Sequence, residues 1–189
     1  MKIAFSTLGC PDFSWTDIYP MAKDLHFDGI EIRGLGNDIY AVKARPFTGA
    51  QLPRTIQKLG ELGLEIPCLS TGNPLYIKEN REENIVEVCQ YIALAQKLST
   101  PYIRLLVGLE AGPVGNEVDD DYIVELLKEL AAPAEEAGVT LLVESNSDYA
   151  DTKRLKKVLD AVNSPFVAAL WVRRSQGWWA GLRWLSVRV

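Results

Sequence analysis

Six short apolar segments alternate with longer amphipathic segments along this sequence, and this alternation limits the possible folds more than any other feature. The predicted strands are residues 3–8, 29–33, 64–70, 102–107, 139–144 and 166–171. The predicted helices between them are residues 14–25, 51–62, 79–98, 120–137 and 151–162. Repeated strand–helix units with mostly apolar strands indicate a parallel sheet covered by helices. The sequence therefore predicts an α/β fold, either an open doubly wound sheet or a (β/α)8 barrel.

Local signals mark where the helices begin and end. Gly29, Gly63 and Gly138 each stand between a predicted helix and the strand that follows it. A glycine after a helix commonly takes the left-handed conformation that stops the helix. Ser14 and Asp17 have the spacing of a capping box at the start of the first helix.

Composition and charge narrow the range of partners. The net charge of −5 argues against a nucleic-acid surface, which is normally basic. The three cysteines are an odd, sparse set, which disfavours a disulfide framework and favours a reducing, cytoplasmic location. They include no CxxC pair, which disfavours structural zinc. No apolar stretch is long enough to span a bilayer, so we expect no membrane partner.

A glycine-rich segment, GLGNDI at residues 34–39, is the one candidate for a dinucleotide-binding loop. The third glycine of that pattern is absent and no helix begins directly after it. This disfavours the nucleotide-binding version of the doubly wound fold.

The last 18 residues, 172–189, differ in character from the rest of the chain. They contain four arginines, three of the five tryptophans and no acidic residue, and the strand–helix alternation stops. A (β/α)8 barrel typically needs about 250 residues. We therefore expect a partial barrel at residues 1–171 followed by an atypical tail. The tail is interpreted as an out-of-frame or altered end, a genuine element covering the sheet edge, or a Trp/Arg-rich segment that binds a membrane or partner.

Several strand ends resemble those of the sugar phosphate isomerase/epimerase family with the xylose isomerase-like TIM barrel. The similar segments are STLGCPD, DGIEIRG, VESN and NSPFVAALW, which fall within residues 1–171. This resemblance implies an incomplete (β/α)8 barrel of about six units that acts on a sugar or sugar phosphate. It also implies one divalent metal ion, such as Mn²⁺ or Mg²⁺, at the carboxyl ends of the strands.

The metal ligands of the family are usually a Glu ending strand 5, an Asp ending strand 6, a His on strand 7 and a Glu on strand 8. Only the first of these carries over, as Glu144. Val172 stands where the Asp is expected and Ser175 where the His is expected. A single carboxylate holds such a cation weakly, so we expect an inactive or impaired enzyme. Ketohexose 3-epimerases carry another Glu at the position of Ala150, which leaves the substrate open.

Four residues are predicted to form the site. Glu144 is assigned as metal ligand and as one of the carboxylates that move a proton beside the substrate carbonyl. Glu31, Arg104 and Asn146 are assigned to substrate binding. Arg104 interrupts an apolar strand, so it needs a carboxylate partner, for which Glu144 and Glu31 are the candidates.

Three hypotheses for function follow. The first is a metal-dependent sugar isomerase or epimerase. The second is a non-catalytic barrel that forms homo-oligomers through its open sheet edges. The third, DNA repair of the endonuclease IV type, is disfavoured because that activity needs many histidine ligands and the chain contains one histidine.

Overall fold

Six strands and five α-helices alternate in the part of the chain that the structure, a computed structural model, describes: residues 2–36, 38–108 and 118–171. The strands are β1 (Ala4–Ser6), β2 (Gly29–Glu31), β3 (Cys68–Ser70), β4 (Tyr102–Leu105), β5 (Thr140–Glu144) and β6 (Val167–Leu170). The helices are α1 (Trp15–Asp24), α2 (Gln51–Leu62), α3 (Arg81–Leu98), α4 (Asp120–Ala137) and α5 (Thr152–Val162). Short 3-10 segments lie at Thr7–Gly9, Ala41–Lys43, Arg45–Phe47, Lys78–Asn80 and Ser147–Ala150. The tail predicted at residues 172–189 lies outside the described residues.

All the strand pairs are parallel, and each strand lies beside the next one in the sequence. β2 and β3 are joined by backbone hydrogen bonds, from the Ile32 N–H to the Cys68 carbonyl at 3.0 Å and from the Ser70 N–H to the Ile32 carbonyl at 2.8 Å. This sequential order is that of a barrel, whereas a doubly wound sheet reverses its strand order part-way. Within the described residues β1 and β6 each have one strand neighbour, so the barrel is incomplete there.

The apolar core lies between the sheet and the helices. Side chains alternate along each strand, and one set, which includes Ile30, Leu69, Ile103, Leu141 and Val143, is fully buried in the core cluster. The opposite face of the same strands carries polar side chains towards the carboxyl ends. None of the described helices is both long enough and apolar enough to cross a bilayer.

The predicted helix ends are confirmed at two glycines and wrong at the third. Gly63 and Gly138 take left-handed conformations, with φ of 66° and 69°, directly after α2 and α4. Gly29 instead lies inside β2, because α1 ends earlier and His26 takes the left-handed turn with φ of 60°. Gly29 has a different reason to be glycine: a Cβ there would lie 2.9 Å from the carbonyl oxygen of Glu65.

The third strand is shorter than predicted at its beginning. The sequence predicts a strand from residue 64, but β3 begins at Cys68. Pro67 has no N–H to donate to a neighbouring strand, and Glu65 forms only an isolated bridge with Gly29. By contrast, the predicted bounds of α2 and α4 are confirmed, as is the capping interaction in which the Ser14 N–H donates to Asp17 Oδ2 at 3.1 Å.

Candidate active site

Four polar side chains are buried on one face of the sheet at the carboxyl ends of neighbouring strands. They are Glu31 on β2, Ser70 on β3, Arg104 on β4 and Glu144 on β5, and each is at most 5% exposed. Ser70 lies directly opposite Arg104 in the strand register, and Glu144 is two residues beyond the partner of Arg104. Because residues two apart on a strand share a face, these side chains form one continuous polar cluster.

Arg104 and Glu144 form a buried ion pair at the centre of this cluster. Both Nε and Nη2 of Arg104 contact Oε2 of Glu144. The prediction that Arg104 needs a buried carboxylate partner is confirmed, and Glu144, one of the two candidates, is such a partner. Desolvating two charges is costly unless they compensate each other, so each residue holds the other in place.

Ser70 is a member of the cluster that the sequence analysis missed. Its hydroxyl donates to Oε1 of Glu31 at 2.5 Å, and the serine is fully buried. This bond fixes the Glu31 carboxylate beside the Arg104–Glu144 pair. The signal available in the sequence was position: Ser70 ends the segment CLS, and strand ends are where barrel sites form.

Cys68 lies two residues before Ser70 and is completely buried. Burial raises the pKa of its thiol, and the nearby carboxylates of Glu31 and Glu144 raise it further. The side chain is therefore a neutral thiol at physiological pH. Its burial is typical of a cysteine that packs as a small apolar side chain.

Asn146 follows β5 and is half-buried at the edge of the cluster. Its N–H donates to the carbonyl of Glu144 at 2.9 Å, and its own carbonyl accepts from the Tyr149 N–H. Among the described residues, its side chain makes no hydrogen bond to Glu31, Arg104 or Glu144. The structure thus places Asn146 in a turn next to the predicted site. Its side-chain amide is not bonded to the other three predicted site residues within the described part of the chain.

The turn after Asn146 is stabilised by a second network of polar side chains, which the sequence analysis did not identify. Arg154 on α5 donates to both carboxylate oxygens of Asp120, each at 2.9 Å, and to the carbonyl of Val118 at 2.8 Å. The Tyr149 hydroxyl also donates to Asp120, at 3.1 Å, and Asp148 lies 3.7 Å from Arg154. Because these partners come from three segments, no spacing in the sequence reveals them.

The described residues do not make up a metal site by themselves. They contain no group of three or more His, Cys, Asp or Glu side chains placed to hold one ion. Glu144 offers a single carboxylate, and one of its oxygens is occupied by Arg104. A divalent cation of the expected kind needs several ligands. Of the metal ligands expected from the resemblance, Glu144 is the one that lies in this part of the chain.

Residues 20–171 match the family described as the xylose isomerase-like TIM barrel. The chain belongs to this family. Its xylose isomerase-like fold is also shared with many solved structures. No functionally curated protein is detectably similar to the sequence.

Three of these structures show the range of the likeness. A D-psicose 3-epimerase from Clostridium cellulolyticum has a TM-score of 0.72 and 16% identity over 90% of this chain and 63% of its own. A probable 3-DHS dehydratase, AsbF, from Bacillus anthracis has a TM-score of 0.71 and 20% identity over 90% of this chain and 62% of its own. A xylose isomerase-like TIM barrel protein from Mycobacterium smegmatis, in complex with magnesium, has a TM-score of 0.71 and 18% identity over 89% of this chain and 63% of its own.

This chain therefore spans about three fifths of the length of these solved structures. At these identities the likeness shows the fold. The three proteins also differ in the activity that their names give, since one is an epimerase and another a dehydratase. The shared barrel does not by itself select the reaction.

Proposed function

We propose that the polar cluster is part of a site for isomerising or epimerising a sugar or sugar phosphate. The observation that carries this proposal is the buried Arg104–Glu144 pair beside Glu31 at the carboxyl ends of parallel strands. Buried charges are rare without a role, and active sites of barrel enzymes lie at this end of the strands. The epimerases among the similar structures support the same reaction class.

In this proposal each residue of the cluster has a chemical role. Glu144 is the base that removes a proton from the carbon beside the substrate carbonyl. Arg104, whose guanidinium already neutralises a carboxylate, holds a negatively charged or hydroxyl oxygen of the substrate. Glu31, oriented by Ser70, accepts hydrogen bonds from sugar hydroxyls, and Asn146 supplies an amide at the edge of the cluster. A cytoplasmic location is part of the proposal and is supported by the free thiols of all three cysteines.

Metal dependence is proposed from the family, in which a similar protein was crystallised with magnesium. A metal ion in such a site polarises the substrate carbonyl. Glu144 is the ligand that this chain offers among its described residues, and Val172 and Ser175 replace the expected Asp and His. We therefore propose that metal affinity and turnover are low in this chain.

The test is hydrogen exchange at the substrate carbon, because it detects slow proton transfer. A panel of ketohexoses, aldoses and their phosphates is incubated with the protein in D₂O, with Mn²⁺ or Mg²⁺, and deuterium incorporation is followed by NMR. We expect incorporation beside the carbonyl that Glu144→Gln abolishes. Glu136→Gln, an exposed change on α4, is the matched control and should leave the exchange rate unchanged.

The outcomes separate the proposal from its alternative. Incorporation that survives Glu144→Gln would contradict the role of Glu144, and its absence with every sugar would favour a non-catalytic barrel. That alternative is supported by the edges of β1 and β6, which have one strand neighbour each within residues 2–36, 38–108 and 118–171. Unpaired strand edges favour pairing with another chain, so the alternative predicts a homo-oligomer.

A further inference from the structure

A second cleft lies outside the polar cluster, between the segment that follows β2 and the first half of α3. Its volume is about 520 Å³, which is within the range of small-molecule sites. Its polar lining comes from Tyr40, Lys43, Asn73, Glu82, Glu83, Glu87 and Gln90. The cleft has three carboxylates and one ammonium group, so its charge is negative.

Glu87 forms the floor of this cleft. It is 6% exposed, whereas Glu82, Glu83 and Lys43 are exposed at the rim. Its Oε1 accepts hydrogen bonds from the backbone N–H groups of Gly72, at 2.9 Å, and Asn73, at 3.4 Å. Its Oε2 is buried and accepts no hydrogen bond from the residues that the structure describes.

An unsatisfied carboxylate oxygen in a buried position is costly. The cost is increased by Glu83, which lies one helical turn from Glu87, because like charges four residues apart on a helix repel each other. Burial also raises the pKa of Glu87. Lys43 offsets this charge only in part: it acts to lower the pKa of Glu87, but the effect of burial is larger. Its ammonium group is exposed and lies over the ring of Tyr40, 4.8 Å from the ring centre.

We propose that this cleft binds a small organic cation with primary ammonium groups, one of which donates to Oε2 of Glu87. An ammonium group supplies both the missing donor and the missing positive charge, and such charge-assisted hydrogen bonds are the strong ones. A second ammonium group on the same molecule meets the carboxylate of Glu83, one turn away at the rim. The half-buried ring of Tyr40 and the apolar Val86 contact the methylene groups between the two charges.

The test uses putrescine as the probe and 1,4-butanediol as its uncharged counterpart of equal length. In ¹H–¹⁵N NMR spectra of the full chain, putrescine should produce saturable shifts at the amides of Gly72 and Asn73, whose N–H groups bond to Glu87. Butanediol should leave these two amides unchanged. Equal shifts with both compounds, or none with putrescine, would overturn the proposal.

Two variants locate the binding energy. Glu87→Gln keeps an oxygen for both backbone amides but removes the charge, and it should raise the putrescine Kd by at least about tenfold. Glu83→Gln, at the exposed rim, should raise it by about threefold. Glu136→Gln on α4 is the control and should not change the Kd. Unaltered affinity in a folded Glu87→Gln variant, checked by circular dichroism, contradicts the assignment.

Discussion

Two charged side chains of the described sheet, Arg104 and Glu144, matter both for its stability and for the candidate site. They are buried side by side, so each compensates the charge of the other. A buried pair of this kind stabilises a protein little in total, but removal of one partner leaves an uncompensated charge. The pair therefore couples the integrity of the candidate site to the stability of the sheet.

Arg104→Met should lower the free energy of unfolding by about 3–5 kcal/mol, because Glu144 then remains buried without its partner. The double variant Arg104→Met/Glu144→Leu should be less destabilised than the sum of the single variants, by up to about 3 kcal/mol. Urea unfolding followed by circular dichroism measures all three values.

An exposed ion pair serves as the control for this cycle. Lys156 and Asp160 on α5 are more than half exposed and separated by 2.6 Å. Lys156→Met should change the free energy of unfolding by less than about 1 kcal/mol. Additive losses at Arg104 and Glu144 would contradict the coupling.

At the scale of the elements, two glycines differ in whether the structure has space for a side chain in their place. Gly29 lies in β2, where the Glu65 carbonyl and the Pro67 ring approach to 2.9 and 3.0 Å of any added Cβ. Gly60 lies inside α2, is exposed, and has no atom within 4 Å of an added Cβ. The first glycine is required by close packing of the strands, whereas the second merely weakens a helix.

Gly29→Ala should destabilise the protein by about 1–3 kcal/mol, because the added methyl group pushes against backbone. Gly60→Ala should stabilise it by about 0.5–1 kcal/mol, because alanine restricts the unfolded chain and favours the helix. Thermal unfolding distinguishes the two. A Gly29→Ala variant as stable as the parent would show that β2 and the segment before β3 can separate without cost.

The first turn of α4 should respond to acid. Asp119 accepts from the Asp121 N–H at 3.0 Å and from Lys78, 2.6 Å away, and the Lys78 contact lowers the pKa of this carboxyl. Its contribution to stability is therefore present above the unfolded-state pKa, about 3.9, and is lost as the pH falls through the lower folded-state value.

Asp119→Asn keeps the capping oxygen but cannot ionise. The variant should be less stable than the parent at pH 7, and the difference should shrink as the pH falls below about 4. Thermal unfolding across this range measures the difference. A difference independent of pH would show that the charge of Asp119 does not matter.

The sequence predicts these elements well where the signal is local. The bounds of α2 and α4, their left-handed glycines and the capping of α1 depend on neighbouring residues, and all are confirmed. The strand predicted to begin at Gly29 is confirmed. The helix-ending role predicted for Gly29 is wrong, because its reason for being glycine is a contact with Glu65, which is distant in sequence. Ser70 and Arg154 were missed for the same reason: their partners come from other strands and helices. The carboxylate partner of Arg104 was predictable because a charged side chain in an apolar strand requires an oppositely charged neighbour.

At the scale of the whole molecule, the outer strands of the described sheet, β1 and β6, bear on whether the chain associates with a second copy. β6 ends at Leu170, and the following Trp171 is 62% exposed. Ala169, on the helix-facing side of β6, is also exposed. An exposed edge strand beside a large aromatic side chain favours contact with a second chain.

If the chain associates through this region, Trp171→Lys should shift the population towards monomer, because charged residues on an edge oppose pairing. Sedimentation velocity over a range of protein concentrations measures the shift. Leu25→Lys, a change at another exposed apolar residue after α1, is the control and should have no effect. A purely monomeric parent chain would exclude self-association.

The sequential strand order has a consequence for how the chain is made. Each of the six described strands bonds to strands that precede or follow it directly in the sequence. Each of these pairings therefore joins the two ends of one strand–helix unit. As the ribosome releases the chain from its amino end, each new strand meets a neighbour that has already emerged. Over the described strands the sheet can thus grow in the order of synthesis, because each strand after β1 finds a partner in the strand before it.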